Sequence, residues 1–278
     1  MGIKEALSWS INVLIRNNVS EPEKSAEFFL RQILSWDKAK LLANPDYKLD
    51  KKQEEKFREF IERRKKHEPV WYITGKIEFY GLDLEVSQNV LIPRPETEFL
   101  VEEVLSLAKN SRILELGTGS GAISLAIASK LKNKTFASDI SGGALQVAKK
   151  NAKKLGLEKN IEFRQGDLLE PWKGEKFDII VANLPYIPHE DMSSLALDIH
   201  HWEPRLALDG GKDGLEIYEK LLSQAKDYLN KNATMFFEIG IEQGDKLKKL
   251  VKKYLQDATV QIKKDYGNID RIAIIKVK

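Results

Sequence analysis

Hydrophobic residues recur along the chain at two different spacings. Through residues 3–67 they recur at helical spacing, so that Phe29, Leu30 and Ile33 would share one helix face. From Ser111 onward, short apolar runs alternate with stretches of helical spacing. The pattern predicts a small N-terminal helical domain followed by an α/β domain.

The apolar runs of the second part have the length of buried strands. Alternating strands and helices indicate a doubly wound, mainly parallel sheet of Rossmann-like type. The last two runs are too close together for an intervening helix and should pair antiparallel at one edge. The seven predicted strands are residues 112–116, 135–139, 161–165, 177–182, 234–239, 259–264 and 271–277.

Between the two parts, residues 72–86 contain two short alternating runs around Gly81. Such runs on either side of a glycine predict a β-hairpin. The predicted division is therefore a helical domain at 1–70, a β-hairpin linker at 71–90 and a catalytic domain at 91–278.

Composition narrows the classes of protein that fit. The 278 residues carry a net charge of +3, so a stable nucleic-acid partner is not expected. The chain has no cysteine, and its four histidines show no ligand spacing, so no metal site is predicted. The sequence shows no signal peptide and no apolar run that could span a bilayer, and we expect a cytoplasmic protein without a membrane partner.

The run IIVANLPYIP at residues 179–188 suggests a site for a planar amide or amine. Such a nitrogen is a poor nucleophile, so an enzyme must hold its N–H bonds. The side-chain oxygen of Asn183 can accept one, and the carbonyl of Leu184, confined by Pro185, can accept the other. Tyr186 offers a flat face to the target. An ordinary turn at a strand end is the alternative interpretation.

The run ILELGTGSGA at residues 113–122 predicts a strand that enters a glycine-rich turn before a helix. Such a turn brings backbone N–H groups close to a ligand. The spacing also fits dinucleotide binding. Glu115 suits a cationic sulfonium ligand better than a pyrophosphate, which favours S-adenosylmethionine. The candidate ligand-binding residues of the turn are Gly117, Thr118, Gly119, Ser120 and Gly121.

Two aspartates follow the next two predicted strands. Asp139 can accept both hydroxyls of a ribose, although an aspartate before a helix is often only a cap. Ser141 is a good N-cap for that helix. Asp167, with its neighbour Leu168, could receive an adenine amino group, or could simply shape a turn. Because the carboxyl ends of parallel strands face one crevice, these residues should converge with Asn183.

Together these motifs resemble those of the bacterial release factor glutamine methyltransferases, a class I S-adenosylmethionine-dependent family, over nearly the whole chain. The matching segments are LIPRPETE at 91–98, ELGTGSGAI at 115–123, DIS and ALQVAKKN within 139–151, NLPYIP from 183, EPRLALDGGKDGLEIY at 203–218, EIG at 238–240 and DYGNIDR at 265–271.

The resemblance implies that S-adenosylmethionine methylates the Gln side chain in the Gly-Gly-Gln tripeptide of class I release factors and leaves S-adenosylhomocysteine. It also implies that the helical domain docks the release factor. Phe99, directly after LIPRPETE, could wall the methyl-transfer site, or could belong to the core. Arg94 could contact cofactor or substrate, or form an ion pair.

One residue departs from the family pattern. The family usually has Pro at the position of Leu184, and NLPY is typical of ribosomal RNA adenine dimethyltransferases. A ribosomal RNA adenine N-methyltransferase is therefore the alternative function, although those enzymes carry their small domain after the catalytic one. If residue 184 contributed only its carbonyl, Leu184→Pro should be tolerated.

Overall fold

The computed structural model describes residues 1–131, 134–265 and 267–278. Tyr266, within the predicted DYGNIDR motif, lies outside the described residues. The chain divides into two compact units. The first comprises Met1–Lys76 with Ala196–Trp202, and the second comprises Ile77–Leu195 with Glu203–Lys278. Within the described residues, no helix is both long enough and apolar enough to cross a membrane.

The α-helices of the described residues are numbered in chain order. They are α1 (Ile3–Arg16), α2 (Pro22–Leu34), α3 (Lys38–Ala43), α4 (Lys51–Arg64), α5 (Val70–Thr74), α6 (Glu96–Leu107), α7 (Ala122–Lys130), α8 (Gly142–Lys154), α9 (Leu197–Trp202), α10 (Glu216–Ala225) and α11 (Gly244–Tyr254).

The β-strands are numbered in the same way. They are β1 (Lys76–Phe79), β2 (Leu82–Glu85), β3 (Ile113–Leu116), β4 (Thr135–Asp139), β5 (Ile161–Gln165), β6 (Phe177–Ala182), β7 (Leu229–Glu238), β8 (Thr259–Lys264) and β9 (Asp270–Lys276).

The first unit is helical, as the spacing of its apolar residues predicts. Phe29 and Phe57 are fully buried in its core. The short helix α9 belongs to this unit: the buried Arg64 lies 3.8 Å from Asp198, and Trp202 Nε1 donates to the Lys66 carbonyl at 3.1 Å. A division drawn along the sequence alone misses this segment, because only tertiary contacts join it to residues 1–76.

The predicted hairpin is formed by β1 and β2, which pair as a two-stranded sheet. Tyr80 and Gly81 both have positive φ, 52° and 74°, which a tight two-residue hairpin turn of type I′ requires. The strands begin later than the predicted linker, because Pro69 and the left-handed Gly75 delimit helix α5 before them.

The second unit contains the predicted doubly wound sheet. Within the described residues its strand order is β5-β4-β3-β6-β7-β9-β8. Strands β3 to β7 pair in parallel, and β9 pairs antiparallel with both β7 and β8. The chain moves outward from β3 through β4 to β5 and then returns to β6 on the other side of β3. Ligands bind in such sheets beyond the strand ends at this reversal.

One strand is longer than the sequence predicts. β7 begins at Leu229, whereas the apolar pattern predicts a start at Thr234. Lys231 and Asn232 are exposed and polar, which hides the beginning of the strand. Its pairing with β6 shifts register between Phe177 and Ile179, and within the added stretch Asn230 Nδ2 donates to Asp178 Oδ1 at 2.8 Å.

Candidate active site

Most of the predicted site residues line a cavity of about 340 Å³ in the second unit. A volume of this size is in the range of small-ligand pockets. The predicted residues that line it are Glu115, Gly117, Thr118, Gly119, Ser120, Asp139, Asp167, Leu168, Asn183, Leu184 and Pro185. Three other predicted residues, Phe99, Gly121 and Tyr186, do not line it.

The glycine-rich turn is fixed by backbone hydrogen bonds to the neighbouring strand. The amides of Gly117 and Thr118 both donate to the Ser138 carbonyl, at 2.9 and 3.0 Å. Gly117 has a φ of 70°, and a Cβ on it would lie 2.9 Å from the Leu184 side chain. The positive φ favours glycine at this position, and a larger residue would also require the Leu184 side chain to move.

Asp139 is oriented before any ligand arrives. Its Oδ2 accepts the Gly119 amide and its Oδ1 accepts the Ser141 amide, both at 2.8 Å. The helix cap is Ser141, whose hydroxyl accepts the Ala144 amide at 3.1 Å, as predicted. Each carboxylate oxygen retains acceptor capacity for a ligand hydroxyl. Burial raises the pKa of Asp139.

Glu115 is almost fully buried and anchors both sides of the turn. Its Oε2 accepts the Thr118 hydroxyl at 2.6 Å and the Ser124 amide at 3.0 Å. Burial raises the pKa of Glu115 to about 7, because few water molecules can solvate the charged form. A cationic ligand at this end of the cavity would favour the ionised form.

Asp167 and Leu168 form the far side of the cavity. Asp167 is partly exposed and forms an ion pair with Lys220, which also lines the cavity. Leu168 has a φ of 50°, which places its backbone in the left-handed region. The hydrogen bond from the Ser138 hydroxyl to the Leu168 carbonyl, at 3.2 Å, ties this turn to β4.

Asn183 follows β6 and faces α6. Its Nδ2 donates to the Thr97 hydroxyl at 3.2 Å. Among the described residues, we find no hydrogen bond to the Asn183 side-chain oxygen or to the Leu184 carbonyl. Both residues line the cavity. The two acceptors that the sequence assigns to a target amide are thus not engaged by the protein.

Leu184 does more than supply a carbonyl, so the condition under which Leu184→Pro should be tolerated is not met. Its amide donates to the Tyr218 hydroxyl at 3.1 Å, and its side chain is buried in the core cluster that includes Tyr218. Tyr218 in turn donates to the Glu238 carbonyl at 2.5 Å. A proline at 184 would remove the first of these hydrogen bonds.

Tyr186 is held away from the cavity. Its hydroxyl lies 3.4 Å from Glu238 Oε1, and its carbonyl accepts Gln243 Nε2 at 2.8 Å. Burial and the neighbouring Glu238 raise the pKa of Tyr186 to about 12. Phe99 lies on α6, half-buried. A stacking role for either ring remains a prediction.

Some residues line the cavity although the sequence did not single them out as site residues. Thr97, Lys220 and Ile140 line the cavity, and Ile140 is half exposed there. Thr97 lies inside the LIPRPETE motif and Ile140 inside the DIS motif, whereas Lys220 lies in none of the quoted motifs. Arg94, also of the LIPRPETE motif, pairs with the buried Glu203 at 2.5 Å, and Glu203 Oε2 accepts the Ile92 amide at 3.1 Å.

These residues fit S-adenosylmethionine. The cavity lining includes the apolar side chains of Ile140 and Leu168, which suit an adenine ring. Asp139 presents an oriented carboxylate for ribose hydroxyls, and the open face of Gly119 leaves room beside it, since a Cβ there would meet no atom within 4 Å. Glu115 supplies the acidic group that suits a cationic methionine moiety.

Sequence comparison identifies the family. The profile of the PrmC N-terminal domain matches residues 5–75, and that of a methyltransferase domain matches residues 107–266. A release factor glutamine methyltransferase of Clostridium acetobutylicum is 36% identical, with 99% of this chain and 98% of the relative covered. The chain belongs to the release factor glutamine methyltransferase family. The Bacillus subtilis release factor glutamine methyltransferase is 39% identical, with 97% of this chain and 96% of the relative covered.

Solved structures support the fold of this family member. A methyltransferase from Pyrococcus furiosus aligns with a TM-score of 0.53 at 21% identity, covering 70% of this chain and 88% of its own. A ribosomal protein L11 methylase from Lactobacillus delbrueckii aligns with a TM-score of 0.50 at 22% identity, covering 66% and 81%. The full-length relatives are named for release factor glutamine, so the ribosomal RNA adenine alternative is not favoured.

Proposed function

We propose that this chain transfers the methyl group of S-adenosylmethionine to the side-chain amide nitrogen of the Gln in the Gly-Gly-Gln motif of class I release factors. One observation supports this most directly. The unengaged oxygens of Asn183 and Leu184 belong to the same cavity as the Asp139 carboxylate and the glycine-rich turn. Family membership supports the choice of substrate.

The chain contributes alignment rather than covalent chemistry. S-adenosylmethionine, when bound, supplies an activated methyl group on a sulfonium. The Asn183 oxygen and the Leu184 carbonyl each accept one N–H of the Gln amide, which directs the nitrogen at the methyl carbon. With the methyl donor bound, the nitrogen–carbon bond would form as the carbon–sulfur bond breaks, and the nitrogen would then lose a proton to solvent. Orientation of this kind supplies much of the rate enhancement in such a displacement.

The cofactor side of the cavity holds its ligand by groups that are already in place. Asp139 accepts ribose hydroxyls, the backbone of the glycine-rich turn lets the ligand approach, and Asp167 with Leu168 borders the adenine. Binding then requires little rearrangement, because Asp139 is oriented by two backbone amides beforehand. Such preorganisation reduces the entropic cost of binding.

The test is a methyl-transfer assay that offers purified release factor and ribosomal RNA in parallel. Label should enter the release factor, and replacing the Gln of its Gly-Gly-Gln by Glu should abolish incorporation. Labelling of ribosomal RNA adenine, with the release factor unlabelled, would refute the proposal.

We also propose that the helical unit docks the release factor, that no nucleic acid is a stable partner, and that the protein acts in the cytoplasm. The match of residues 5–75 to the PrmC N-terminal domain supports the first point. Hydrogen exchange of the full chain with and without release factor should show protection in residues 1–76. Protection confined to the second unit would contradict docking by the helices.

A further inference from the structure

A buried carboxylate in the second unit has no part in the mechanism so far. Glu238 ends β7, is 1% exposed and does not line the cavity. Its Oε2 accepts the Thr97 hydroxyl at 2.7 Å. Thr97 lies on α6 and does line the cavity, where it contacts Asn183. Glu238 is therefore linked to the cavity by its hydrogen bond with Thr97.

The order of donors along these contacts decides which way the Asn183 amide faces. A threonine hydroxyl has one proton, and an ionised carboxylate can only accept. With its proton on Glu238 Oε2, Thr97 can only accept from the side chain of Asn183. It accepts from Nδ2 at 3.2 Å. Since the two ends of a carboxamide are nearly the same size, a donor–acceptor preference of this kind is what distinguishes them.

We propose that Glu238 and Thr97 are positioning residues, which turn the NH₂ end of Asn183 toward Thr97 and so leave its oxygen to accept an N–H of the substrate amide. We call Glu238, Thr97 and Asn183 the Glu238 relay. The inference rests on the proposed function, because only an amide or amine substrate needs an acceptor at this position. If the Asn183 side chain were reversed, its NH₂ group would face the N–H of the substrate amide, and neither group could accept the hydrogen bond.

This order of donors and acceptors holds while Glu238 is ionised, because an ionised carboxylate can only accept from Thr97. Arg271, on β9, and the hydroxyls of Thr97 and Tyr186 favour the charged form, whereas burial and Glu96 oppose it, with a net rise in the pKa of Glu238. The remaining neighbour, Tyr218 of α10, donates to the backbone carbonyl of Glu238 and not to its carboxylate. Because a rise in pH can only favour the ionised form, the variants should be compared at more than one pH.

The first experiment compares three variants of the full chain. Thr97→Val keeps the shape but removes the hydroxyl, and should lower kcat about 10- to 100-fold while the Kd for S-adenosylmethionine changes less than about threefold. Thr97→Ser restores the hydroxyl and should recover most of the lost kcat. Thr135→Val is the matched control, since the Thr135 hydroxyl is buried with no hydrogen-bond partner among the described residues.

A double-mutant cycle separates positioning from general support of the fold. If Thr97 acts through Asn183, Thr97→Val should lower kcat by less than about twofold further in an Asn183→Ala background. Glu238→Gln should likewise have little further effect on kcat in the Asn183→Ala background. Its amide can donate to Thr97, so Thr97 is no longer restricted to accepting from Asn183. A full additional loss in the Asn183→Ala background, or a Thr97→Val kcat equal to that of Thr135→Val, would overturn the relay.

A spectroscopic measurement tests the relay without substrate. The side-chain NH₂ signal of Asn183 in ¹⁵N-labelled protein, assigned by its loss in Asn183→Ala, should exchange faster with solvent in Thr97→Val than in Thr97→Ser. An unchanged signal would show that no such hydrogen bond exists. If the relay signal behaves as expected while the release factor is not methylated, the proposed function fails and the placement of Asn183 stands.

Discussion

The two sides of the cavity are held in place in different ways. On the cofactor side, Gly117 and Thr118 bond to the backbone of β4, and Asp139 bonds to the amides of Gly119 and Ser141. These partners lie at most 21 residues apart along the chain. On the acceptor side, Asn183 depends on Thr97, which is 86 residues away, and Thr97 depends on Glu238, which is 141 residues away.

On the cofactor side most of the donors are backbone amides, with the carboxylates of Glu115 and Asp139 among the acceptors, whereas the acceptor side depends on three side chains. A turn held by backbone amides tolerates changes in most of its side chains, because the bonds do not depend on them. A relay of three side chains fails when any member is replaced. Mutations on the acceptor side should therefore affect turnover strongly, whereas those on the cofactor side should mainly affect binding of S-adenosylmethionine.

The largest expected effect is that of Asn183→Ala. The variant removes the proposed acceptor, and kcat should fall by about two to three orders of magnitude, since a misaligned amide loses most of the benefit of orientation. Single-turnover methyl transfer to the release factor measures it. Asn160→Ala is the control, because no side-chain hydrogen bond of Asn160 is found among the described residues. Near-normal kcat in a folded Asn183→Ala would show that turnover does not depend on the Asn183 side chain.

The second prediction concerns the pH dependence of stability on the cofactor side. The pKa of Glu115 is raised from 4.5 to about 7 in the folded chain. A raised folded pKa contributes stability that is full below the unfolded value and is lost as pH rises through the folded one. The contribution, on the order of 3 kcal/mol, should thus disappear between pH 4.5 and about 7.

Denaturant unfolding across this pH range tests the role of Glu115. Glu115→Gln cannot ionise, so its free energy of unfolding should decline less from pH 5 to pH 8 than that of the unmodified chain. Equal declines in the two proteins would show that Glu115 is not the responsible group. The Thr135→Val variant, which has no titratable change, should follow the unmodified chain.

The third prediction is a loss of binding in Asp139→Ala. Removing a charge-assisted hydrogen-bond acceptor should weaken S-adenosylmethionine by about 1.5 to 3 kcal/mol in calorimetry. At saturating S-adenosylmethionine, kcat should change far less than in Asn183→Ala. A kcat loss as large as that of Asn183→Ala would remove the distinction between the two sides, and an unchanged affinity would exclude Asp139 from the site.

The smallest expected effect is that of Leu184→Pro. It removes the amide that donates to Tyr218, and should lower the free energy of unfolding by about 0.5 to 1.5 kcal/mol. Leu184→Met keeps the amide and nearly the same volume, and serves as the control. If Leu184→Pro is at least as stable as Leu184→Met, the hydrogen bond to Tyr218 contributes no stability and proline is tolerated at this position.

Much of the second unit could be predicted because its elements are encoded locally. Four strands, β4, β5, β6 and β8, have the predicted bounds, since each is a compact apolar or alternating run between polar turns. The glycine-rich turn and Asp139 are adjacent to such strands, so their positions are also encoded by nearby residues. The early start of β7 was missed, because Lys231 and Asn232 are exposed and polar and show no apolar pattern.

The fold class, the glycine-rich turn and the residues that follow each strand can be predicted from the sequence, because they depend on neighbours in the chain and on the common direction of parallel strands. Three features are visible only in the folded chain: α9 joins the helical unit, the Leu184 amide donates to Tyr218, and Thr97 links Glu238 to Asn183 by hydrogen bonds. Those contacts join residues that are far apart in sequence, and no local spacing records them.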